Sequence, residues 1–219
     1  MIRLHHVPFS RSFRVLWLMQ EMGLDFEVVE YQIRDGSLRT KEFVSISPAG
    51  RVPGLEIDGL RLFESGAILE YLCETRPEHG FGRAVGHAER PRYLELMGFA
   101  ETMAALVEQL NLSHVFLRDP AMASPTVIKL NTARLAGTLK AMEEMLGDQE
   151  CLLPSGFSAA DAMMGFNLFA APYYVKLDAY PKLQAYVARL EARPAYQAAR
   201  AQDGAQDFYT KSFYPVPAN

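Results

Sequence analysis

The chain has 219 residues, 49% of them hydrophobic, which is enough for one large domain or two small ones. Its net charge of -4 and the lack of any Lys/Arg cluster argue against a nucleic-acid binder. Its two cysteines, Cys73 and Cys151, lie far apart and form neither a zinc motif nor a C-x-x-C redox pair; MIRLHHV is no signal peptide, and no uninterrupted apolar run is long enough to span a membrane, so a cytoplasmic protein is expected.

Ile2 to Val7 reads as a short strand. His5 and His6 are adjacent in it and point to opposite faces, so they do not ligate one metal together. No other His, Cys or carboxylate cluster stands out, and no metal is expected. Pro8 to Arg14, PFSRSFR, breaks the strand and opens a helix that Ser10 or Ser12 is placed to cap. That helix carries Phe13, Val15, Leu16, Trp17, Leu18, Met19 and Met22, apolar over most of its circumference, as suits a helix held between a sheet and other helices. Gly23 stands where a C′ glycine is expected. A second strand from about Phe26 to Ile33 has the blurred alternation of a buried parallel strand. The strand–helix–strand spacing is that of a right-handed βαβ unit.

Asp35 to Pro48 is polar and turn-rich, with one helical turn near Lys41 to Ser45. Val52 to Leu72, VPGLEIDGLRLFESGAILEYL, then reads as strand, two-residue turn, strand, helix. Asp58-Gly59 between two apolar runs is a strong hairpin signal, because both residues tolerate positive φ. Pro53 marks a strand start, since it cannot donate to a ladder. Ser65 precedes the periodic run Ile68, Leu69, Leu72 and reads as an N-cap. A helix start of this kind offers unpaired N–H groups and partial positive charge to an anion; equally, Ser65 does no more than cap its helix. The order β-α-β, connection, β-β-α is the thioredoxin-like arrangement. It is expected with an antiparallel hairpin and with the first and third strands parallel.

Thr75 to Gly86, TRPEHGFGRAVG, is a linker by its Pro and Gly content. A first domain over 1–80, a linker over 81–87 and an all-helical second domain over 88–219 are expected, giving an α+β class. In the second domain a long helix runs from Arg90 to about Leu117. Ser124-Pro125 opens another with Ile128, Leu135, Leu139, Met142 and Leu146 on one stripe, ended by Gly147. Ser158-x-x-Asp161 is a capping box before an apolar helix. Leu183, Val187 and Leu190 form a stripe after Pro181, a short helix follows Pro194, and Gln202 to Asn219 is aromatic and irregular.

VP at a strand start, a DG hairpin and ES opening a helix closely resemble the glutathione-binding half of the glutathione S-transferases. GFSAADAMMGF and YPKLQAYVARLEARPAY resemble the capping box and penultimate helix of the same family, so the likeness covers nearly the whole chain. It implies a glutathione transferase that joins the glutathione thiolate to a small hydrophobic electrophile and works as a homodimer. The dimer interface would lie between the Leu60–Leu72 side of one subunit and the long helices of the other. Family members carry Tyr, Ser or Cys where the first helix opens. Neither Tyr nor Cys occurs among residues 1–30, so the resemblance implies a serine-type enzyme, with Ser10 favoured as donor to the thiolate and Ser12 close behind. Helix capping is the alternative for either, and Arg11 stands between them. Val52 would pair its backbone with the cysteinyl unit, ahead of a cis Pro53. Glu64 and Ser65 would hold the γ-glutamyl end, and Lys41 and Arg51 are the cations for the glycyl carboxylate. Phe9, Tyr93, Met97 and Met103, with Phe208 or Phe213 from the tail, are candidates against the electrophile. The other readings are a non-catalytic glutathione-binding or protein-interaction member of the fold, or a glutathione-dependent reductase, lyase or isomerase.

Overall fold

In a computed structural model, which describes residues 1–217, the chain divides into two compact units: residues 1–87 with 191–206, and residues 88–190 with the stretch from 207 onward. The last two residues of the expected second domain, 218 and 219, lie outside the described residues.

The first unit is built on a four-stranded sheet in the order β2-β1-β3-β4. Strand β1 (Arg3–His6) leads into helix α1 (Ser12–Glu21), which returns to β2 (Glu27–Glu30). Helix α1 ends with Gly23 at φ +61, and Leu24 N–H reaches back to the Met19 carbonyl at 3.1 Å. Glycine serves there because the left-handed turn carries no penalty without a Cβ. The β1–β2 pair is parallel. Strand β2 is shorter than expected and half-exposed, because it is the sheet's edge and not a buried interior strand.

Strands β3 (Gly54–Ile57) and β4 (Leu60–Phe63) form the hairpin, with Asp58 at φ +54 and Gly59 at φ +78 in its turn. Strand β3 runs antiparallel to β1, not parallel as the sequence reading has it. The reason lies in the connection. A parallel return needs a crossover of roughly a dozen residues, usually helical, that spans the sheet. Here the only α-helix between β2 and β3 is α2 (Lys41–Val44), four residues long. With no helix long enough to pack back along the sheet, the segment makes no crossover, and β3 starts at the end of the sheet where β2 stops. Helix α3 (Ser65–Thr75) follows and buries Ile68, Leu69 and Leu72.

In the second unit, α4 (Arg90–Asn111) continues as one π turn over Leu112–Phe116. It is followed by α5 (Pro125–Leu146), α6 (Ala159–Ala170) and α7 (Pro181–Glu191). Asp161 sits in the first turn of α6 with no exposed surface. Its Oδ2 accepts from Ser158 N–H at 2.8 Å and from Ser158 Oγ at 3.0 Å. Its Oδ1 accepts from Leu152 N–H at 2.9 Å and from Tyr186 Oη on α7 at 2.7 Å. Burial raises the proton affinity of this carboxyl, and the donors offset part of that rise. The tail is ordered by its aromatics: Tyr209 stacks on Tyr173 at 3.9 Å, and its hydroxyl donates to Asn111 Oδ1 at 2.7 Å, an oxygen that Tyr174 Oη also reaches.

Helix α8 (Pro194–Asp203) belongs to the first unit, so the helical unit does not run unbroken from 88 to the end. Tyr196 meets Phe13 and Trp17 edge-on at 5.7 and 5.2 Å. Arg193 forms a two-pronged ion pair with Glu21 at 2.6 and 2.8 Å. These contacts outweigh sequence neighbourhood, because each aromatic pair is worth about 0.5–1.5 kcal/mol beyond its buried area, while doubling a loop's length costs only about 0.6 kcal/mol.

Candidate active site

The strand register gathers the expected residues at one end of the sheet. His5 stands opposite Gly54, and Gly54 opposite Phe63. The exit of β1 toward Ser10 and Ser12, the entry to β3 after Val52-Pro53, and the step from β4 to Glu64-Ser65 therefore lie side by side. The Val52-Pro53 peptide is cis. Pro53 is buried and Val52 half-buried.

Glu64, not Ser65, is the N-cap of α3; it has φ +71, and its carbonyl accepts the first intrahelical bond, from Ile68 N–H, at 3.0 Å. Ser65 is the first helical residue. Its hydroxyl accepts from the Arg14 guanidinium at 2.9 Å, and both side chains are buried. The sequence reading missed Arg14, which is hidden in a helix that is apolar over most of its circumference. A guanidinium keeps its charge when buried, so a fixed cation lies beneath the start of α3 and adds to the helix dipole. This end of α3 is electrostatically suited to a carboxylate. Lys41 opens α2, and it and Arg51 are exposed on the segment that joins β2 to β3.

The other half of the site is where α1 opens. The N-cap position is Arg11, whose side chain makes no capping bond, so neither serine is the N-cap; Ser10 instead takes the first amide of α1 from one residue further back. Ser12, the first helical residue, has no exposed surface, whereas Ser10 is partly exposed. Their hydroxyls are 2.7 Å apart, and Ser12 N–H donates to Ser10 Oγ at 3.3 Å. Ser12 Oγ also lies 2.8 Å from His6 Nδ1 and accepts from Val7 N–H at 3.3 Å. His6 Nε2 lies 3.1 Å from the Asp203 carbonyl and 3.3 Å from Asp203 Oδ1. Phe9, at φ +54, is held by its N–H to the same Asp203 Oδ1 at 3.1 Å. Arg200 pairs with Asp203 Oδ2 and covers the ring of Phe9 at 5.4 Å. Asp203 thus pins the loop that carries Ser10. Its one signal in the sequence is a carboxylate in the last turn of a helix, where the dipole disfavours it.

Of the residues expected against an electrophile, Phe9 is half-buried beside Ser10. Tyr93, Met97 and Met103 are on α4 of the second unit, with 0%, 7% and 0% of their surface exposed. They pack as core there and offer next to no surface. Phe208 is buried against Phe116 at 5.7 Å, and Phe213 lies under Lys176 at 5.3 Å. Among the described residues no group of three or more His, Cys, Asp or Glu side chains is arranged to hold a metal, and no helix is long and apolar enough to cross a membrane.

The family model for the glutathione S-transferase N-terminal domain matches residues 1–74. A glutathione S-transferase of Silene vulgaris is 31% identical over 157 residues, covering 69% of this chain and 72% of its own. The chain belongs to the glutathione S-transferase family. By that membership it is a glutathione transferase of thioredoxin-like fold. Glutathione S-transferase 3 of Schizosaccharomyces pombe is 28% identical over 209 residues, covering 89% of this chain and 85% of its own. A sphingomonad glutathione S-transferase solved in complex with glutathione superposes with a TM-score of 0.80 at 27% identity, over 93% of this chain and all of the other.

Proposed function

We propose that this transferase joins the glutathione thiolate to small hydrophobic electrophiles, with Ser10 as the hydrogen-bond donor to sulfur. The observation that carries the reading is the difference between the two serines: Ser12 has no exposed surface, while Ser10 stands at the open mouth of α1. A thiolate needs no protein base if a donor and a helix start lower the thiol's proton affinity from its ordinary value near ~8.5. In this reading Val52 pairs its backbone with the cysteinyl unit, ahead of the cis Pro53. Glu64 and Ser65 take the γ-glutamyl amine and carboxylate, above the Arg14 charge. Lys41 and Arg51 face the glycyl carboxylate. Phe9 touches the electrophile. The setting is the cytoplasm.

The enzyme is proposed to act as a homodimer. Two apolar surfaces support this: a groove of about 830 Å³ between α4 and α5, lined by Phe99, Leu106, Val127 and Leu130 among others, and Leu60 and Phe63 on β4, 46% and 41% exposed. Elution at the monomer mass at low concentration would remove the dimer.

The test of the function is conjugation of glutathione to chlorodinitrobenzene. A hydrogen bond to a charged group is worth about 1.5–3 kcal/mol, so Ser10→Ala should lower kcat/KM by roughly 10–150-fold. Full activity in Ser10→Ala would refute the serine's role. Glutathione binding by the wild type without turnover would favour the binding-protein reading.

A further inference from the structure

Ser10, Ser12, His6 and Asp203 form one chain of polar contacts running inward from the partly exposed Ser10 hydroxyl: 2.7 Å to Ser12 Oγ, 2.8 Å on to His6 Nδ1, then 3.1 and 3.3 Å from Nε2 to two oxygens of Asp203. Its hydrogens can be assigned by counting. Both atoms facing His6 Nε2 are acceptors, a carbonyl and a carboxylate oxygen, so Nε2 carries a proton. In the neutral ring Nδ1 is then an acceptor, and Ser12 must donate to it. Ser12 has one hydrogen, for which His6 Nδ1 at 2.8 Å is a nearer acceptor than the Val7 carbonyl at 3.3 Å, so the Ser10–Ser12 contact has Ser10 as donor. Val7 N–H fills the remaining site on Ser12 Oγ, and Ser12 N–H one on Ser10 Oγ. With His6 neutral, the Ser10 hydrogen therefore points into the protein, the wrong way to stabilise a thiolate. With a proton on Nδ1 the chain reverses: Nδ1–H donates to Ser12, Ser12 donates to Ser10 at 2.7 Å in preference to the Val7 carbonyl at 3.3 Å, and the Ser10 hydrogen turns outward.

We propose that the glutathione thiol passes its proton down this chain to His6. The S–H bond breaks and its hydrogen joins Ser10 Oγ. The former Ser10 hydrogen passes to Ser12 Oγ, and the former Ser12 hydrogen passes to His6 Nδ1. The outcome is a thiolate that accepts from Ser10 and an imidazolium held against Asp203, with no change in the charge of the whole. Ser12, His6 and Asp203 are positioning residues that act through Ser10. The charged groups facing His6 are Asp203 on α8 and, behind it, Arg200. The scheme rests on the proposed binding of glutathione beside Ser10 and goes beyond it in saying where the proton goes.

The experiment counts protons. Wild-type protein is mixed with glutathione near neutral pH in a weakly buffered indicator dye, and thiolate formation is followed by ultraviolet absorbance in the same sample. S-methylglutathione, which has no thiol proton, sets the baseline for the other ionisable groups of the ligand. The expected result is fewer than half a proton released per thiolate formed, with a matching imidazolium signal for His6 in nitrogen NMR. In His6→Gln and in Asp203→Asn the released proton should rise to equal whatever thiolate remains. One proton released per thiolate by the wild type would overturn the relay and leave the Ser10 reading standing. No thiolate signal from bound glutathione would overturn both. The wild-type count decides the matter even if a variant fails to fold.

Discussion

Asp161→Ala removes an acceptor that four buried donors share. Two of those donors, the N–H groups of Ser158 and Leu152 at 2.8 and 2.9 Å, are backbone and cannot turn elsewhere. The Tyr186 hydroxyl at 2.7 Å loses its partner too, while the Ser158 hydroxyl can rotate. A buried donor left without an acceptor costs about 1–3 kcal/mol, so the two amides alone bring the loss to about 2–6 kcal/mol. Against a total stability of about 5–15 kcal/mol this is a large fraction. For a chain of this length each kcal/mol moves Tm by roughly 2–4 °C, so a drop of at least about 4 °C is expected in a thermal melt followed by circular dichroism. Asp161→Asn is the sharper variant, because it keeps the shape but turns an NH2 group toward N–H donors. It should also destabilise, though less than alanine. If both variants melt within about 1 °C of wild type, the argument that the capping box anchors α6 through unreplaceable backbone donors is refuted.

Tyr196→Ala should cost about 3–5 kcal/mol, since it strips a buried aromatic from Phe13 and Trp17. Trp17 is the only tryptophan, so its emission should shift toward longer wavelength in the same variant; unchanged emission would contradict the docking of α8. Ser65→Ala should raise KM for glutathione with little change in kcat, because in the proposed site Ser65, above the Arg14 charge, holds the ligand's end away from sulfur. An equal fall in kcat would place Ser65 in the chemistry. His5 and His114 have lowered proton affinity, chiefly from burial; for His5 the Glu56 carboxylate offsets part of this while Arg3 and Arg61 add to it, and for His114 Lys211 adds to it. Their folded pKa values lie below the unfolded one, so the unfolded chain binds more protons in that window. The stability they contribute is present above about pH 6.5 and is lost as pH falls through their folded values. The denaturant midpoint should fall between about pH 7.5 and pH 5.5, and less so in the double variant His5→Gln with His114→Gln. The same fall in both proteins would contradict this assignment.

What could be read from the sequence was local. Asp58-Gly59 names its own turn, Ser158-x-x-Asp161 its own helix start, and Thr75 to Gly86 its own break, because each signal is complete within a few residues. The family motifs around Pro53, Glu64 and Ser65 were legible for the same reason. What escaped the sequence depends on partners far along the chain. The direction of β3 follows from what the segment between β2 and β3 can span. The transfer of α8 to the first unit follows from Tyr196 and Arg193 finding partners some 170 residues upstream. Arg14 looked like one polar residue in an apolar helix, and its role appears only once Ser65 is seen above it. The sequence favours Ser10 over Ser12 only narrowly, because what separates the two is burial. Asp203 lies 194 residues from the loop it pins.

The central claim is that Ser10 favours the thiolate of bound glutathione. An ultraviolet pH titration of that thiolate tests it most directly, with wild-type protein beside Ser10→Ala. The account predicts that the thiol of glutathione bound to the wild type titrates well below the ordinary value near ~8.5, and that Ser10→Ala returns it most of the way. A bound thiol that titrates at its free value in the wild type, or a lowered value that survives Ser10→Ala, would contradict it.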